Sequence, residues 1–333
     1  MKVSKDKLTW LYTEAPTRVR IMGWKRSLLT AALKIPSIRE GTARELAASL
    51  RVIADVGQPL HQDPSGNELI RRNPLLRKPL EKIGNDLVQE TLAEIKSGFR
   101  LLRPQAATGT KKIRLGSAND GGYVMLDDFL GVDSALSLGI DKDVSWDVDM
   151  AKRGIVVYQF DHTVDSPPVT DNPRLVFAKK RISTETGPST ETLPSLLKRY
   201  DKGTKPNILL KIDIECDEWA IFDELCPELI SRFAQIVGEF HFFEGFSADP
   251  RCRRLITRVL EKLTYSYAVV HIHANSHGDF HTFNNMAFPN VLELTFANRR
   301  LYSFSETDEK FPGILDAPND PRRPDVDLNT LWS

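Results

Sequence analysis

The sequence predicts an α/β protein, a doubly wound sheet preceded by a helical extension. Three observations lead there. From Lys112 onward, short apolar runs alternate with amphipathic segments of ~10 residues, the pattern of strands joined by crossover helices. Seven runs read as strands, and the last two have no helical pattern between them. Residues 1–105 carry helical spacing and loop punctuation only.

Composition narrows the class. The 333 residues are 41% hydrophobic and 27% charged, ordinary for a globular protein of one large domain with an accessory piece. Lys+Arg and Asp+Glu both number 45, so the net charge is zero and a globally basic nucleic-acid binder is not expected. Cys216, Cys226 and Cys252 show no CxxC and read as reduced thiols. No apolar run reaches the ~18 residues of a membrane span, and no signal-peptide core is apparent, so the expected location is cytoplasmic.

In order along the chain, residues 1–36 hold eight Lys or Arg against two acids. The stretch RVRIMGWKRSLLTAALK spaces its apolar residues helically with a basic rim. It reads either as a helix docked on a membrane surface or a partner, or as one packed on the main domain, the commoner case. TARELAASLRVIADVG is a second helix with Gly57 as its stop. LEKIGNDLVQETLAEIKSGFRLL is a third, with Leu87, Leu92 and Ile95 on one side, and residues 105–112 read as a linker. The boundary falls there, between an extension over 1–105 and a main domain over 106–333.

The strands follow at 134–140, 155–161, 174–182, 207–214, 234–243, 267–274 and 290–298, with helices at 144–154, 192–200, 217–225 and 251–263. Ligands of such sheets bind beyond the carboxyl ends of the strands. Polar residues collect there: Gly139 on the first strand, Asp161 on the second, Asp213 with Glu215 on the fourth, Glu239 with His241 on the fifth. Residues two apart on a strand share a face, so Asp213 and Glu215 can meet one centre unless the strand breaks between them. Asp143 and Asp217 are best read as helix N-caps or solvated loop residues.

Neither GxGxxG nor GxxxxGK[ST] is present, which excludes the usual dinucleotide and P-loop fingerprints. One Gly at a strand end, then an acid ending the next strand, suits a single nucleoside. Gly139 lets the chain pass close to a ligand, and Asp161 can accept from two ribose hydroxyls. S-adenosylmethionine fits that arrangement.

Six motifs in order then carry a resemblance: IRLGSANDGGYVMLDD, SLGIDKDVSWDVDMAKRGIVVYQFDHT, LLKIDIECDEW, GEFHFF, HIHANSHG and FPNVLELTF. Over residues 110–320 the chain resembles the FkbM-type branch of S-adenosylmethionine-dependent methyltransferases. The resemblance implies a Rossmann-like seven-stranded sheet whose last two strands form an antiparallel hairpin. It implies O-methylation, often of a sugar hydroxyl in a glycan or glycolipid. By position, Leu138, Gly139, Ile140 and Asp143 would border the methionine part of the cofactor, Asp161 the ribose and Ser183 the adenine. Gly121 and Gly122 would let the NDGGY turn approach it. The chain departs from the family at Asp141 and Cys216, where Gly is frequent, and at Asp147, where Glu is.

Two routes to hydroxyl activation stay open. His241 would act as base, oriented by Asp213 or Glu215. Alternatively Asp213, Glu239 and His241 would hold Mg²⁺ or Mn²⁺ as a Lewis acid. His273 is a further acceptor-pocket candidate, although His271, His273, His277 and His281 fit no standard zinc spacing. Two other classes are weighed: a non-catalytic binding protein on the same scaffold, and a metal-dependent glycosyltransferase using DVD at 147–149 or 325–327. The Pro-rich segment 316–325 reads as a tail wrapping the domain.

Overall fold

A computed structural model describes residues 77–332 apart from 202 and 204, together with position 71. The expectations for residues 1–36, including membrane contact, and for the helix before Gly57 lie outside the described residues. The chain divides into two compact units. One comprises Met1–Ser97, Gly245–Arg254 and Thr282–Ala287; the other comprises Gly98–Glu244, Leu255–His281 and Phe288–Ser333. Among the described residues no helix is long and apolar enough to cross a membrane.

Helix α1 (Arg77–Leu101) buries Leu87 and Ile95, as their spacing predicts, together with Val88 and Phe99, while Leu92 is only half-buried. The expected linker is partly a strand. β1 (Gln105–Ala107) pairs antiparallel with β15 (Phe304–Glu306), so this segment is tied down by a partner distant in sequence. β2 (Lys112–Leu115) and β3 (Tyr123–Leu126) form a hairpin around the NDGGY turn.

The main sheet then builds in sequence. β4 (Ser134–Leu138) leads through Gly139 to α2 (Ser145–Lys152), which stops at Gly154 with φ +87°. β5 (Val156–Phe160) and β6 (Leu175–Ala178) follow. The expected third strand is shorter than 174–182: it breaks after Ala178 and resumes as β7 (Arg181–Ile182), paired with β8 (Thr190–Glu191). Thr192 caps α3 (Leu193–Tyr200), its hydroxyl accepting the Ser195 N–H, with Pro194 tolerated in the first turn. β9 (Ile208–Ile212), α4 (Glu218–Glu224), α5 (Pro227–Ile230) and β10 (Phe233–Phe240) come next. α6 (Gly245–Ala248) and α7 (Pro250–Ser266) precede β11 (Tyr267–Ala274). A small hairpin of β12 (Phe280–Phe283) and β13 (Met286–Pro289) separates β11 from β14 (Leu292–Asn298).

The seven-stranded sheet has the order β11-β14-β10-β9-β4-β5-β6. The five strands from β10 to β6 are parallel; β14 runs antiparallel to both its neighbours. The antiparallel pairing of the last two strands is therefore present. β4, β9, β10, β11 and β14 are buried throughout, the run expected of strands covered on both faces. On one side Trp146 and Met150 of α2 pack with Tyr123 and Met125 of β3 over Leu209 and Val237. On the other, Phe222 of α4 stacks on Phe240, which also meets the ring of Phe296.

Candidate functional site

The sheet register brings chemistry to one edge. Leu138 stands opposite Ile212, and Ile212 opposite Gly238. Glu239 stands opposite Glu293, and Glu293 opposite His273. One residue beyond the first two pairs, Gly139, Asp213, Glu239, Glu293 and His273 thus lie at one level across five strands. Gly139, at φ +80°, has no room for a side chain, because a Cβ would stand 1.7 Å from the Asp213 carbonyl oxygen. Lys211, on the same strand face as Asp213, donates its Nζ to the Gly139 carbonyl at 2.7 Å.

Asp213, Glu239 and His241 meet in the middle of this row, with one ligand atom of each within 4.8 Å of the others. His241 Nε2 lies 3.8 Å from Asp213 Oδ1 and 3.7 Å from Glu239 Oε2. The other ring nitrogen is fixed: Nδ1–H donates to Glu218 Oε1 at 2.5 Å, and the same oxygen accepts the His241 backbone N–H. Glu218 is the first residue of α4 and fully buried. The next residue, Trp219, donates its indole N–H to the His241 carbonyl at 2.6 Å and packs edge-on to Phe240 and Phe243. The KIDIECDEW turn and the end of β10 therefore hold one another. Asn275, just past β11, donates to Glu239 Oε2 at 2.8 Å. Asp213 is the solvent-facing member, with 30% of its side chain exposed against 9% for His241 and 8% for Glu239.

The electrostatics follow from this crowding. Burial raises the Asp213 carboxyl to about 6, against the pull of His241 and Lys211. Burial and then the Asp213 charge push Glu239 well above the usual carboxylate range. Burial favours neutral His241, but Glu218, Asp213 and Glu239 outweigh it and hold the imidazole up to about 10. Tyr123 is kept neutral by burial and by the charges of Asp213 and Glu239.

Backbone strain collects at the same edge. Asp141, Glu215, Cys216 and Phe242 all adopt positive φ, at 34°, 59°, 82° and 68°. Each follows the carboxyl end of β4, β9 or β10. A bulky residue in this region is uncommon, and such outliers cluster at functional sites.

Several expectations are revised by these contacts. β9 ends at Ile212 and the turn at Glu215 is left-handed, so Glu215 does not share a face with Asp213 and is absent from the trio. Its role falls to Glu218, three residues on. Asp161 is saturated by its own chain: Oδ2 accepts from the Ile140 and Asp141 N–H groups at 2.9 and 3.0 Å, and Oδ1 from Thr163 N–H and Oγ1 at 2.7 and 2.6 Å. Burial raises its pKa, but these bonds outweigh that and keep it low. Asp143 Oδ1 accepts the Ser145 N–H in a turn just ahead of the helix, whose N-cap is Val144 without a side-chain cap bond, so Asp143 is a loop residue and not the N-cap. A Cβ on Gly121 would stand 2.8 Å from the Asp143 carboxylate, and one on Gly122 would stand 2.0 Å from the Ser117 carbonyl. These glycines thus close the NDGGY turn on itself and on Asp143. Ser183 follows β7 and pairs with β8 through its N–H to the Glu191 carbonyl. Asp217 is held by Arg181, not used as a side-chain cap.

His273 is engaged at both nitrogens, with Glu293 Oε2 at 3.0 Å and Asp325 Oδ1 at 2.9 Å, and so stands outside the trio. Asp316 binds His271 Nε2, Asn319 binds Glu293, and Arg323 binds the Ser276 carbonyl, so the Pro-rich tail does wrap the β11 edge. The two DVD stretches are taken by internal partners. Asp147 accepts from Gln159, Asp149 from the Gly116 N–H, Asp325 from His273 and Asp327 from Asn329. The three cysteines form no disulfide.

The His273 pairing sets a pH dependence. Burial opposes its charge, but Asp325 and Glu293 outweigh it and raise the group from 6.5 to about 10. A raised imidazole pKa contributes stability that is complete below 6.5 and is lost as pH climbs towards 10. Calorimetric melting temperature is expected to fall over that window, and His273→Gln should flatten part of the fall. His241, raised in the same direction, supplies a further part. An unchanged slope in His273→Gln would show that the pair carries no such linkage.

A scan against protein-family models and a search of curated proteins both find no match to the chain.

Proposed function

We propose that this chain is an S-adenosylmethionine-dependent O-methyltransferase acting on a sugar hydroxyl of a glycan or glycoconjugate. The observation that supports it most is the sheet order, with β14 antiparallel between β10 and β11 and the Asp213–Glu239–His241 trio at the carboxyl ends of its central strands. This is the architecture that the motif resemblance implies, and the site lies where such sheets take ligands.

The residues at the β4 and β5 ends fit the cofactor. Asp161 draws the Ile140–Asp141 amides over the end of β4, and the Thr163 hydroxyl is the one of its four partners that a ribose hydroxyl can replace. The cofactor supplies an electrophilic methyl on a sulfonium, so the protein's task is positioning and proton removal. In the transfer, the carbon–sulfur bond breaks with its electron pair left on sulfur, an oxygen–carbon bond forms, and the hydroxyl proton leaves to a base. Without a cation, the charges of Glu218, Asp213 and Glu239 favour a protonated His241, which turns the expected roles around. Asp213, the least buried of the three, is the group placed to take the proton, while Glu218 holds the imidazolium.

Calorimetry with S-adenosylhomocysteine tests the cofactor half, and a mass-spectrometric search for a one-methyl gain on candidate glycans tests the acceptor half. Asp161→Ala should weaken S-adenosylhomocysteine by roughly 10- to 100-fold, since charge-assisted hydrogen bonds are the stronger kind and the loop loses its anchor. Unchanged affinity in a folded variant would remove Asp161 from the cofactor site. No S-adenosylhomocysteine binding by the full chain would favour the non-catalytic alternative.

A further inference from the structure

We propose that Asp213, Glu239 and His241 form a centre for a first-row divalent cation such as Mn²⁺, and that Glu218 is the positioning residue for its imidazole ligand. The site stands on its own geometry; its catalytic use rests on the methyl-transfer reading.

Four observations converge. His241 Nε2 is aimed at the gap between the two carboxylates, in a side chain only 9% exposed, and makes no hydrogen bond. Its separations of 3.7 and 3.8 Å from the carboxylate oxygens are too long for hydrogen bonds. They fall within the span of an ion bonded at ~2.0–2.2 Å to each. Second, the supporting contacts have the form that metal centres use. The Glu218 carboxylate takes Nδ1–H and fixes the ring with Nε2 towards the two carboxylates, and Asn275 holds Glu239.

Third, three carboxylates, Asp213, Glu218 and Glu239, gather round one imidazole, a concentration of oxygen donors and negative potential that favours a divalent cation. Fourth, Asp213 is only partly buried, which leaves a side of the centre for water or an acceptor hydroxyl. The donor set is two hard oxygens and one imidazole. Mg²⁺ prefers oxygen and retained water, whereas Mn²⁺ accepts the nitrogen and binds more strongly in the general affinity order. Among the described residues this is the one group of its kind. A cation here would hold the acceptor oxygen and acidify its hydroxyl, and the second Asp213 oxygen would remain to take the proton.

The test is titration calorimetry of the full chain with MnCl₂, alongside S-adenosylhomocysteine. Stoichiometric Mn²⁺ binding is expected. Asp213→Asn and Glu239→Gln should each weaken it at least ~100-fold, and Glu218→Gln, which keeps the volume but removes the charge, by ~10- to 100-fold as outer-shell changes do. Variants are compared only where S-adenosylhomocysteine affinity, or circular dichroism if that ligand does not bind, matches the parent. Should Asp213→Asn fail to fold, Glu218→Gln and Glu239→Gln carry the test. No Mn²⁺ binding by the parent chain at millimolar metal overturns the centre, as does full binding in Glu239→Gln. Unchanged binding in Glu218→Gln overturns the positioning role. Mn²⁺ binding without S-adenosylhomocysteine binding would leave the centre standing and sink the methyl-transfer reading; the reverse would do the opposite.

Discussion

Under the proposed function, Asp213→Asn is expected to leave the chain folded and its S-adenosylhomocysteine affinity nearly unchanged while lowering methyl transfer by ~10²-fold or more, a usual cost of losing a general base. The reasoning is local. Asp213 lies past the end of β9, where its backbone N–H is taken by the Leu138 carbonyl at 2.8 Å, so the chain path does not depend on the carboxylate. Its side chain makes no hydrogen bond within the trio, only the 3.8 Å approach to His241, and the amide has the same volume. What the amide cannot do is accept a proton near neutral pH or supply a charged ligand. The change therefore strikes both proposed routes to hydroxyl activation and spares the ends of β4 and β5. Kinetics at saturating cofactor would show the loss in kcat. Full turnover on a verified acceptor would make the carboxylate structural and leave the proposed mechanism without its base.

The fold was largely legible because its signal is periodic. All seven main strands fall where apolar runs predict them, and α2, α3, α4 and α7 lie within two or three residues of expectation. The short strands β1, β2, β3 and β15 were not, because three or four residues give no period and their pairing depends on partners elsewhere in the chain. The site was legible as a list of strand-end acids and illegible as geometry. Asp213, Glu239 and His241 come together because sheet register carries them to one level, which strand boundaries suggest. Glu218 was missed because a helix-starting acid after Asp217 looks like dipole chemistry, and nothing local reveals a histidine 23 positions on. Glu215 leaves the Asp213 face because strand alternation stops at a turn whose left-handed residues, Glu215 and Cys216, carry side chains where glycine would have announced them. Asp141 and Cys216, where the motif resemblance leads one to expect glycine, are both positive-φ positions. A side chain at such a position accepts strain of roughly 1–2 kcal/mol.

Gly139→Ala is expected to be the most damaging single-methyl change at the site, and comparison with Gly154→Ala separates its causes. Both glycines have left-handed backbones, at φ +80° and +87°. An alanine in that region costs roughly 1–2 kcal/mol on conformation alone. At Gly154 a Cβ meets nothing within 4 Å, so conformation is the whole cost. At Gly139 it would stand 1.7 Å from the Asp213 carbonyl oxygen, a collision with backbone that no rotamer relieves. Overpacking adds about 1–3 kcal/mol, and more where backbone must move. The end of β4 would be pushed from the end of β9, loosening the Lys211 bond to the Gly139 carbonyl and displacing Asp213 from Glu239 and His241. Urea unfolding should therefore place Gly139→Ala below Gly154→Ala by at least ~1 kcal/mol. Methyl transfer and Mn²⁺ affinity should fall in the first variant and persist in the second. Equal stabilities would mean that the two strand ends can part without strain, and that the close contact between Gly139 and Asp213 is not what holds the trio in place.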